Sequence, residues 1–539
     1  MLTLTLLGAE QIRPPVSTCL RPACAHAPLS EPRQVQARLW TLRRGVLPVW
    51  SLSLYCRSCL TRYYNNYFVH EASHREATRE YYGAMPRFIH VTEQSFIELA
   101  LCIFFETQMA MLHASAENIA RVYNHSLSLS EKSALHDSRL SDQLDLQTVW
   151  DSFFMHALLR DSQKREQALS LPHHGLQSQR FNLALAERNY RMAGTGQEMW
   201  AHACKGCMKV IVADDGQTYC LTAGVTDGVT LGHPCCSVID CTVPLSKQQD
   251  RFCAEHTALL RICSVDGCQS EVAAGHATCP EPSHRAFEDA HRVRGTAMFA
   301  LRNRAQDAHE AQPQHPDPPD PPDRPSSNTV EQPSVGGPSE QPSTTAVKGR
   351  LLRRWTHNEQ LFVRCCGVII SRATFFGSEG ISGVKDFLKA TFPPTFPGSL
   401  PCYIFYDNNC QLRKHLLSTG DHYFDFSGLP VDVFHALTKH KASDLFCQLY
   451  CNPACFPELM GPDNRWIFNS SAAEQANNWF GRFLPVVHEM TVERYNFFLD
   501  EMIAIHNRFT VESLRRRGFA PHLQPEEYLR DAPVRYQPS

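Results

Sequence analysis

One spacing of metal-type ligands occurs twice in succession, and it constrains this chain more than any other feature. The first copy is Cys236-x4-Cys241-x11-Cys253-x2-His256, and the second is Cys263-x4-Cys268-x10-Cys279-x4-His284. Two nearby thiols, a loop, then a thiol and an imidazole supply the four ligands of one tetrahedral zinc ion. A single copy arises by chance in a cysteine-rich chain; a near-repeat with Gly267 and Pro280 at turn-like positions does not. Upstream lie Cys204-x2-Cys207, Cys220, His233 and Cys235, ligands for a further site that spacing alone does not partition. Further upstream, Cys19-x4-Cys24 and Cys56-x2-Cys59 flank the β-type run VLPVWSLSLY, the layout of a zinc ribbon in which two knuckles grip one ion. Two to four structural zinc sites are expected.

The chain has 539 residues, enough for several domains, with 22 Cys and 26 His. The opening MLTLTLLGAEQIRPP has no charged leader and too short an apolar stretch to read as an export signal. Clustered thiols without such a signal favour metal binding over a disulfide framework. The most apolar window, 96–112, is interrupted by Glu98 and Glu106 and is shorter than a bilayer span, so it reads as a buried helix and no membrane partner is expected. Net charge is −3, so DNA binding rests on local basic patches at 38–44, 349–355 and Arg515-Arg516-Arg517.

Read in order, residues 15–90 form a ribbon-like cysteine cluster and 91–200 a helical region, in which SFIELALCIFFETQMAML and DLQTVWDSFFMHALLRD repeat apolar residues every three or four positions. Residues 201–232 are β-rich, 233–290 hold the tandem ligand repeat, and 305–349 are a Pro/Ser-rich linker too poor in apolar residues to fold. In 350–510, LFVRCCGVIIS, ATFFG and CYIFY read as strands, ISGVKDFLKATF and CQLRKHLLS as helices, LPVDVFHAL as strand-like, and AAEQANNWFGRFLPVVHEM as a long helix, before a tail at 511–539. Strands alternating with helices give a mixed sheet flanked by helices.

Three acids stand where chemistry would need them. Asp227 lies in the β-type run LTAGVTDGVTLG, Asp407 follows CYIFY, and Glu474 opens a helix. Carboxylates converging at one sheet end hold two divalent ions that act on a phosphodiester, and hard Mg²⁺ or Mn²⁺ requires such oxygen ligands. Each also has a plain reading: Asp227-Gly228 as a hairpin turn, Asp407-Asn408-Asn409 as a strand-ending loop, and Ser471 to Glu474 as a capping box. Asp214, Asp215 and Asp432 are rival carboxylates. His435, His440, Cys447, Cys451 and Cys455 read either as another zinc site or as buried side chains.

Several segments resemble the KDZ (Kyakuja-Dileera-Zisupton) transposases of fungi and other eukaryotes, and especially their associated cysteine-cluster proteins. They are CRSCLTRYYNNYFVHE, CKGCMKV, GVTDGVTLGHPCC, FFGSEGISGVKDFL, FYDNNCQLRKHL, LPVDVFHALTKHK and NSSAAEQANNWF. The resemblance implies a ribonuclease-H-like α/β core with an Asp-Asp-Glu triad, interrupted by zinc-chelating inserts. Cys204, Cys207 and Asp227 match the family's CxxC-then-Asp-Gly segment. Tyr406, Asp407, Cys410 and Gln411 match its Tyr-Asp-x-x-Cys-Gln segment, and Glu474 and Trp479 its helix-borne acid and following Trp. The chain departs from the family at Asp-Gly-Val-Thr, where Asp-Gly-Asn-Phe is common, and at Ala-Glu-Gln-Ala, where Glu-Arg is common. The resemblance further implies Mg or Mn at Asp227, Asp407 and Glu474, transposon ends and target DNA as partners, a homo-oligomer and a nuclear location. The alternative is a domesticated scaffold that binds DNA or protein through zinc. A ubiquitin-ligase-like scaffold is weaker, because the ligand pairs run consecutively and the α/β half is left without a role.

Overall fold

The computed structural model describes residues 10–127, 140–212, 218–293, 349, 351 and 354–531. The linker 305–349, apart from Gly349, lies outside them, as do Asp214, Asp215, the first nine residues and the end of the tail. Two compact units are formed: Met1–Pro234 together with Thr356–Ser539, and Cys235–Trp355, which interrupts the first in sequence.

The amino-terminal part of the larger unit is a nine-stranded sheet built on one long hairpin, Ser30–Thr41 and Gly45–Cys56. Gly45 takes φ +70°, and the Thr41 hydroxyl closes the turn by donating to the Gly45 carbonyl at 2.8 Å and accepting from Arg44 N at 3.0 Å. The expected ribbon is therefore the rim of a larger sheet. The window expected as one buried helix starts as the strand Ser95–Glu98, because Ser95, Phe96 and Ile97 pair with Arg38, Leu39 and Trp40; the helix begins at Leu99. Pairing into an existing sheet overrides helix propensity here.

Helices Leu99–Leu112, Leu146–Lys164, Asn182–Met192 and Val492–Arg516 are tied together by buried charges. Glu106 lies 2.6 Å from His156 Nδ1 and accepts from Arg160 at 3.1 Å, while Arg160 and Arg188 both bond Glu501. His156 and Arg160 hold the Glu106 carboxyl below its ordinary range against the opposing effect of burial. Among the described residues no helix is long and apolar enough to cross a membrane.

A second sheet has five strands. Thr218–Val229 runs antiparallel to Met208–Val212 and to Asn358–Arg364, which is antiparallel to Ile369–Phe375; Tyr403–Phe405 joins Thr218–Val229 in parallel. Helices Ile381–Thr391, Asn409–Thr419 and Ala472–Phe480 accompany it. This is the mixed, helix-flanked sheet that the alternating pattern predicts. Two local expectations fail. LPVDVFHAL contains the helix Val433–Thr438, because Asp432 caps it by accepting from Phe434 N and His435 N. The expected long helix breaks after Phe480 into a 3₁₀ turn, Gly481–Phe483, and a short helix with Pro485 in its first turn.

Among its described residues the smaller unit holds the 3₁₀ helix Ala254–Arg261 and a helix over 282–293, with loops between the ligands. Its two apolar clusters have Cys236, Phe252 and Cys253, and Cys263, Val265 and Cys279, as their buried members.

Candidate functional site

Four tetrads of Cys and His bring all their ligand atoms within 4.8 Å of one another: Cys19, Cys24, Cys56 and Cys59; His202, Cys204, Cys207 and Cys366; Cys236, Cys241, Cys253 and His256; Cys263, Cys268, Cys279 and His284. The sulfur spacings discriminate between chemistries. Cys19–Cys59 is 3.6 Å, Cys24–Cys56 3.9 Å, Cys204–Cys207 3.8 Å, Cys241–Cys253 3.7 Å and Cys268–Cys279 3.9 Å. A disulfide holds its sulfurs at ~2.05 Å. Four ligands at ~2.3 Å around a tetrahedral zinc ion sit ~3.8 Å apart. All these thiols are free, and the geometry suits zinc. His256 Nδ1 lies 3.5, 3.5 and 3.2 Å from Cys236, Cys241 and Cys253, and His284 Nδ1 lies 3.5 and 3.2 Å from Cys263 and Cys279.

The Cys204–Cys207 tetrad differs from what spacing suggests. Its other members are His202 and Cys366, whose Sγ lies 3.3 Å from His202 Nε2. Cys366 comes from the turn joining Asn358–Arg364 to Ile369–Phe375, where Gly367 adopts φ +92°. Cys220 is on a strand, the His233 ring packs at a tilt against Tyr495 at 4.6 Å, and Cys235 is buried elsewhere. The sequence signal for Cys366 was its Cys-Cys-Gly turn, a knuckle motif hidden inside a strand pair.

A fifth group joins Cys410, His440 and Cys447, with His440 Nδ1 3.2 Å from Cys447 and 3.9 Å from Cys410. Cys451 is buried in the same cluster. Cys455 is exposed and bonds the Gln448 carbonyl, and His435 sits between Asp432 and Glu474. The other ring nitrogen of His440 lies 2.9 Å from the Asp407 carbonyl oxygen, which a protonated Nε2 bonds. Zinc held on Nδ1 would fix that tautomer and so steady the backbone of Asp407.

The carboxylates gather around the end of the second sheet. Asp227 is not in a hairpin turn: it lies within a strand, opposite Leu361. Its two oxygens accept from Gly228 N at 2.9 Å and Asn477 Nδ2 at 2.8 Å. Asp407 follows the parallel neighbour strand, and its Oδ1 is buried without a hydrogen-bond partner. Glu379, from the loop before helix Ile381–Thr391, accepts from Tyr406 at 3.2 Å and Asn358 at 3.3 Å. Burial first, then the Asp407 charge, then Glu379, push the Asp227 carboxyl up to about 7. Burial and Asp407 likewise raise Glu379. Three carboxylates whose charges raise one another in this way form a site that gains from binding a cation. Gly228 is required for this approach: a Cβ there would meet Asn358 Nδ2 at 2.3 Å and Glu379 Oε2 at 3.0 Å.

Glu474 lies on the helix whose Asn477 reaches Asp227, three residues earlier, with Oε1 3.3 Å from His435 Nε2 and its side chain 40% exposed. The capping-box reading does not hold, since the Ser471 side chain makes no cap bond. Trp479 anchors this helix by donating to the Ala110 carbonyl at 2.9 Å. Glu379 is the acid that sequence reasoning passed over; it sits in a glycine-rich loop, FFGSEGISG, without periodicity to mark it.

Two family models match the chain. Residues 7–127 match the CxC5 like cysteine cluster associated with KDZ transposases, and residues 225–290 match the CxC6 like cysteine cluster associated with KDZ transposases. No curated protein and no solved structure matches. The first match spans the Cys19–Cys59 tetrad and the second both Cys₃His tetrads, so this chain carries two of the cysteine clusters that accompany KDZ transposases.

Proposed function

We propose that this is a KDZ-type transposase-related protein whose second sheet is a ribonuclease-H-like core that cleaves and joins DNA strands. One observation carries the reading: Asp227 lies in one strand and Asp407 just past the end of its parallel neighbour, coupled electrostatically, with a buried Asp407 oxygen that has no partner. The strand order Ile369–Phe375, Asn358–Arg364, Thr218–Val229, Tyr403–Phe405, with only the last pairing parallel, supports the same fold. Asp227, Asp407 and Glu379 would hold Mg²⁺ or Mn²⁺, and Glu474 would join them if it left His435. Divalent ions held there would supply activation of a water or 3′-hydroxyl and stabilisation of the leaving oxygen. Asn477 orients Asp227, Tyr406 orients Glu379, and the His440 bond holds the Asp407 backbone in register.

The test is Mn²⁺-dependent nicking of supercoiled plasmid by the zinc-loaded protein. Asp407→Asn is expected to lower the rate about a hundredfold or more, because it removes several kcal/mol of transition-state stabilisation. Glu379→Gln and Glu474→Gln, assayed beside it, rank the two candidate third acids. Equal nicking in all variants would sink the reading.

The second reading is a scaffold without catalysis. It is favoured by the Glu474–His435 contact, which gives the helix-borne acid a partner other than a metal ion, and it is supported if folded, zinc-bound protein never nicks. The reading of the five Cys/His groups as zinc sites makes a separate prediction. Metal analysis of the intact chain should return five zinc ions. Cys366→Ser and Cys447→Ser should each remove one, and Cys455→Ser none. An unchanged count in Cys447→Ser would remove the fifth site.

A further inference from the structure

The amino-terminal sheet carries a cavity of about 630 Å³ that the carboxylate pocket does not use. Its volume falls in the range of small-ligand sites. Arg33, Arg62, Arg79, Arg180, His173 and His174 line it, and Glu93 is the acid among its lining residues. Arg62 and Arg79 share a sheet face, since both stand opposite Val69 in register. Arg180 is fixed by bonds to the Pro172 and His173 carbonyls at 3.0 and 3.3 Å. Arg79 packs over the Tyr67 ring at 4.7 Å and donates to His173 at 3.4 Å. These cations work against one another: Arg180 is lowered by burial and by Arg79, although Asp151 opposes this, and His173 is lowered to about 4 by burial, Arg79, His174 and Arg180.

A second, independent feature lies in the same cavity. His90 is 6% exposed and lines it, and its ring nitrogens approach the backbone at Thr92 and Glu93 without forming a well-aligned hydrogen bond. The ring is clamped between Tyr67 at 5.5 Å and Phe96 at 4.4 Å, so it cannot turn to improve them. Buried polar atoms are almost always satisfied, so a weakly satisfied imidazole in a cavity lined by guanidinium groups is placed to donate to a bound acceptor. Burial and Arg79 hold this ring neutral, so one nitrogen carries a proton to donate. Tyr64, also lining the cavity and stacked on Tyr67 at 4.8 Å, adds an aromatic ring of the kind on which bases stack.

We propose that this cavity binds a phosphate group of a nucleotide or nucleic-acid strand, with Arg33, Arg62 and Arg79 around the phosphate and His90 donating to one of its oxygens. Guanidinium groups match phosphate oxygens in geometry and charge, and several together give salt-dependent binding. The site is separate from the acidic cluster, so it stands whether or not the protein cuts DNA.

The experiment titrates a fluorescein-labelled single-stranded 12-mer into the full-length, zinc-loaded chain by anisotropy, with inorganic phosphate and dAMP as competitors. The double variant Arg33→Gln/Arg62→Gln should bind about 10- to 100-fold more weakly with an unchanged melting temperature. His90→Phe keeps a stacked ring and removes the buried nitrogens, so it should melt no lower than wild type while binding the strand at least tenfold more weakly. A purely structural His90 would not separate the two readouts. Competition by dAMP and phosphate would assign a terminal phosphate, and competition by neither would assign the strand's backbone phosphates. Affinity within twofold of wild type in both variants, or no binding of any probe by the wild type, would overturn the proposal.

Discussion

Stripping zinc from the purified protein at neutral pH with a strong chelator is expected to unfold the Cys235–Trp355 unit completely. Of the buried members of its two apolar clusters, only Phe252 and Val265 are not cysteines of the tetrads. Burying two such side chains stabilises by ~1.5–3 kcal/mol each. Ordering the backbone costs ~1–2 kcal/mol per residue, which far exceeds that gain. Structural zinc, worth ~10–16 kcal/mol in small metal-folded modules, would be the largest single stabilising contribution to this unit. The measurement is thiol accessibility together with proteolysis inside 235–293. All six cysteines of the two Cys₃His tetrads should react at once after chelation and be protected again when zinc is restored. Protection that survives full zinc removal would show that packing alone holds the unit.

The second large effect is expected inside the other unit. Arg372 is buried and bonds Asp500 at 2.7 Å and Glu359 at 2.9 Å, carboxylates 3% and 0% exposed. Arg372→Met keeps the bulk but leaves two buried charges facing each other, and breaking such a pair costs ~3–5 kcal/mol. Burial already raises the Glu359 carboxyl although Arg372, Thr374 and Tyr495 lower it. A carboxyl raised in the folded state binds its proton more tightly there, so folding is favoured as pH falls. Without Arg372 the rise is larger, and the deficit of Arg372→Met relative to wild type should shrink as pH drops from 7 toward 5. Urea midpoints of both proteins at the two pH values check this. A deficit that stays constant or widens toward pH 5 would mean that Glu359 does not carry it.

How much of this was legible follows loop length. The Cys236–His256 and Cys263–His284 sets could be read whole because each is closed within one short segment, where spacing nearly determines which atoms meet. Cys19 and Cys24 could be paired with Cys56 and Cys59 because the β-type text between them brings its ends together. Cys204 and Cys207 were legible as ligands, but His202 and Cys366 were not. Cys366 arrives only when two strands pair, and no local pattern records that. The same holds for Cys410, which spacing separates from His440 and Cys447 although all three meet behind Asp407. The strand ending at Asp407 and the helix carrying Glu474 were visible as apolar periodicity. The Asp432 cap was the local signal that strand-like LPVDVFHAL concealed.

The sequence by itself determined which segments carry clustered metal-type ligands, that a mixed sheet is flanked by helices, and which acids sit near strand and helix ends. These follow from short-range chemistry: ligand spacing, apolar periodicity and the backbone needs of chain termini. Only the tertiary structure decided that Asp227 lies within a strand, that Glu379 shares its electrostatic field, and that His440 spans a cysteine pair and the Asp407 carbonyl. Those outcomes depend on strand register and on loops packed across it. Their energies come from charges and polar atoms meeting at distances that no local spacing specifies.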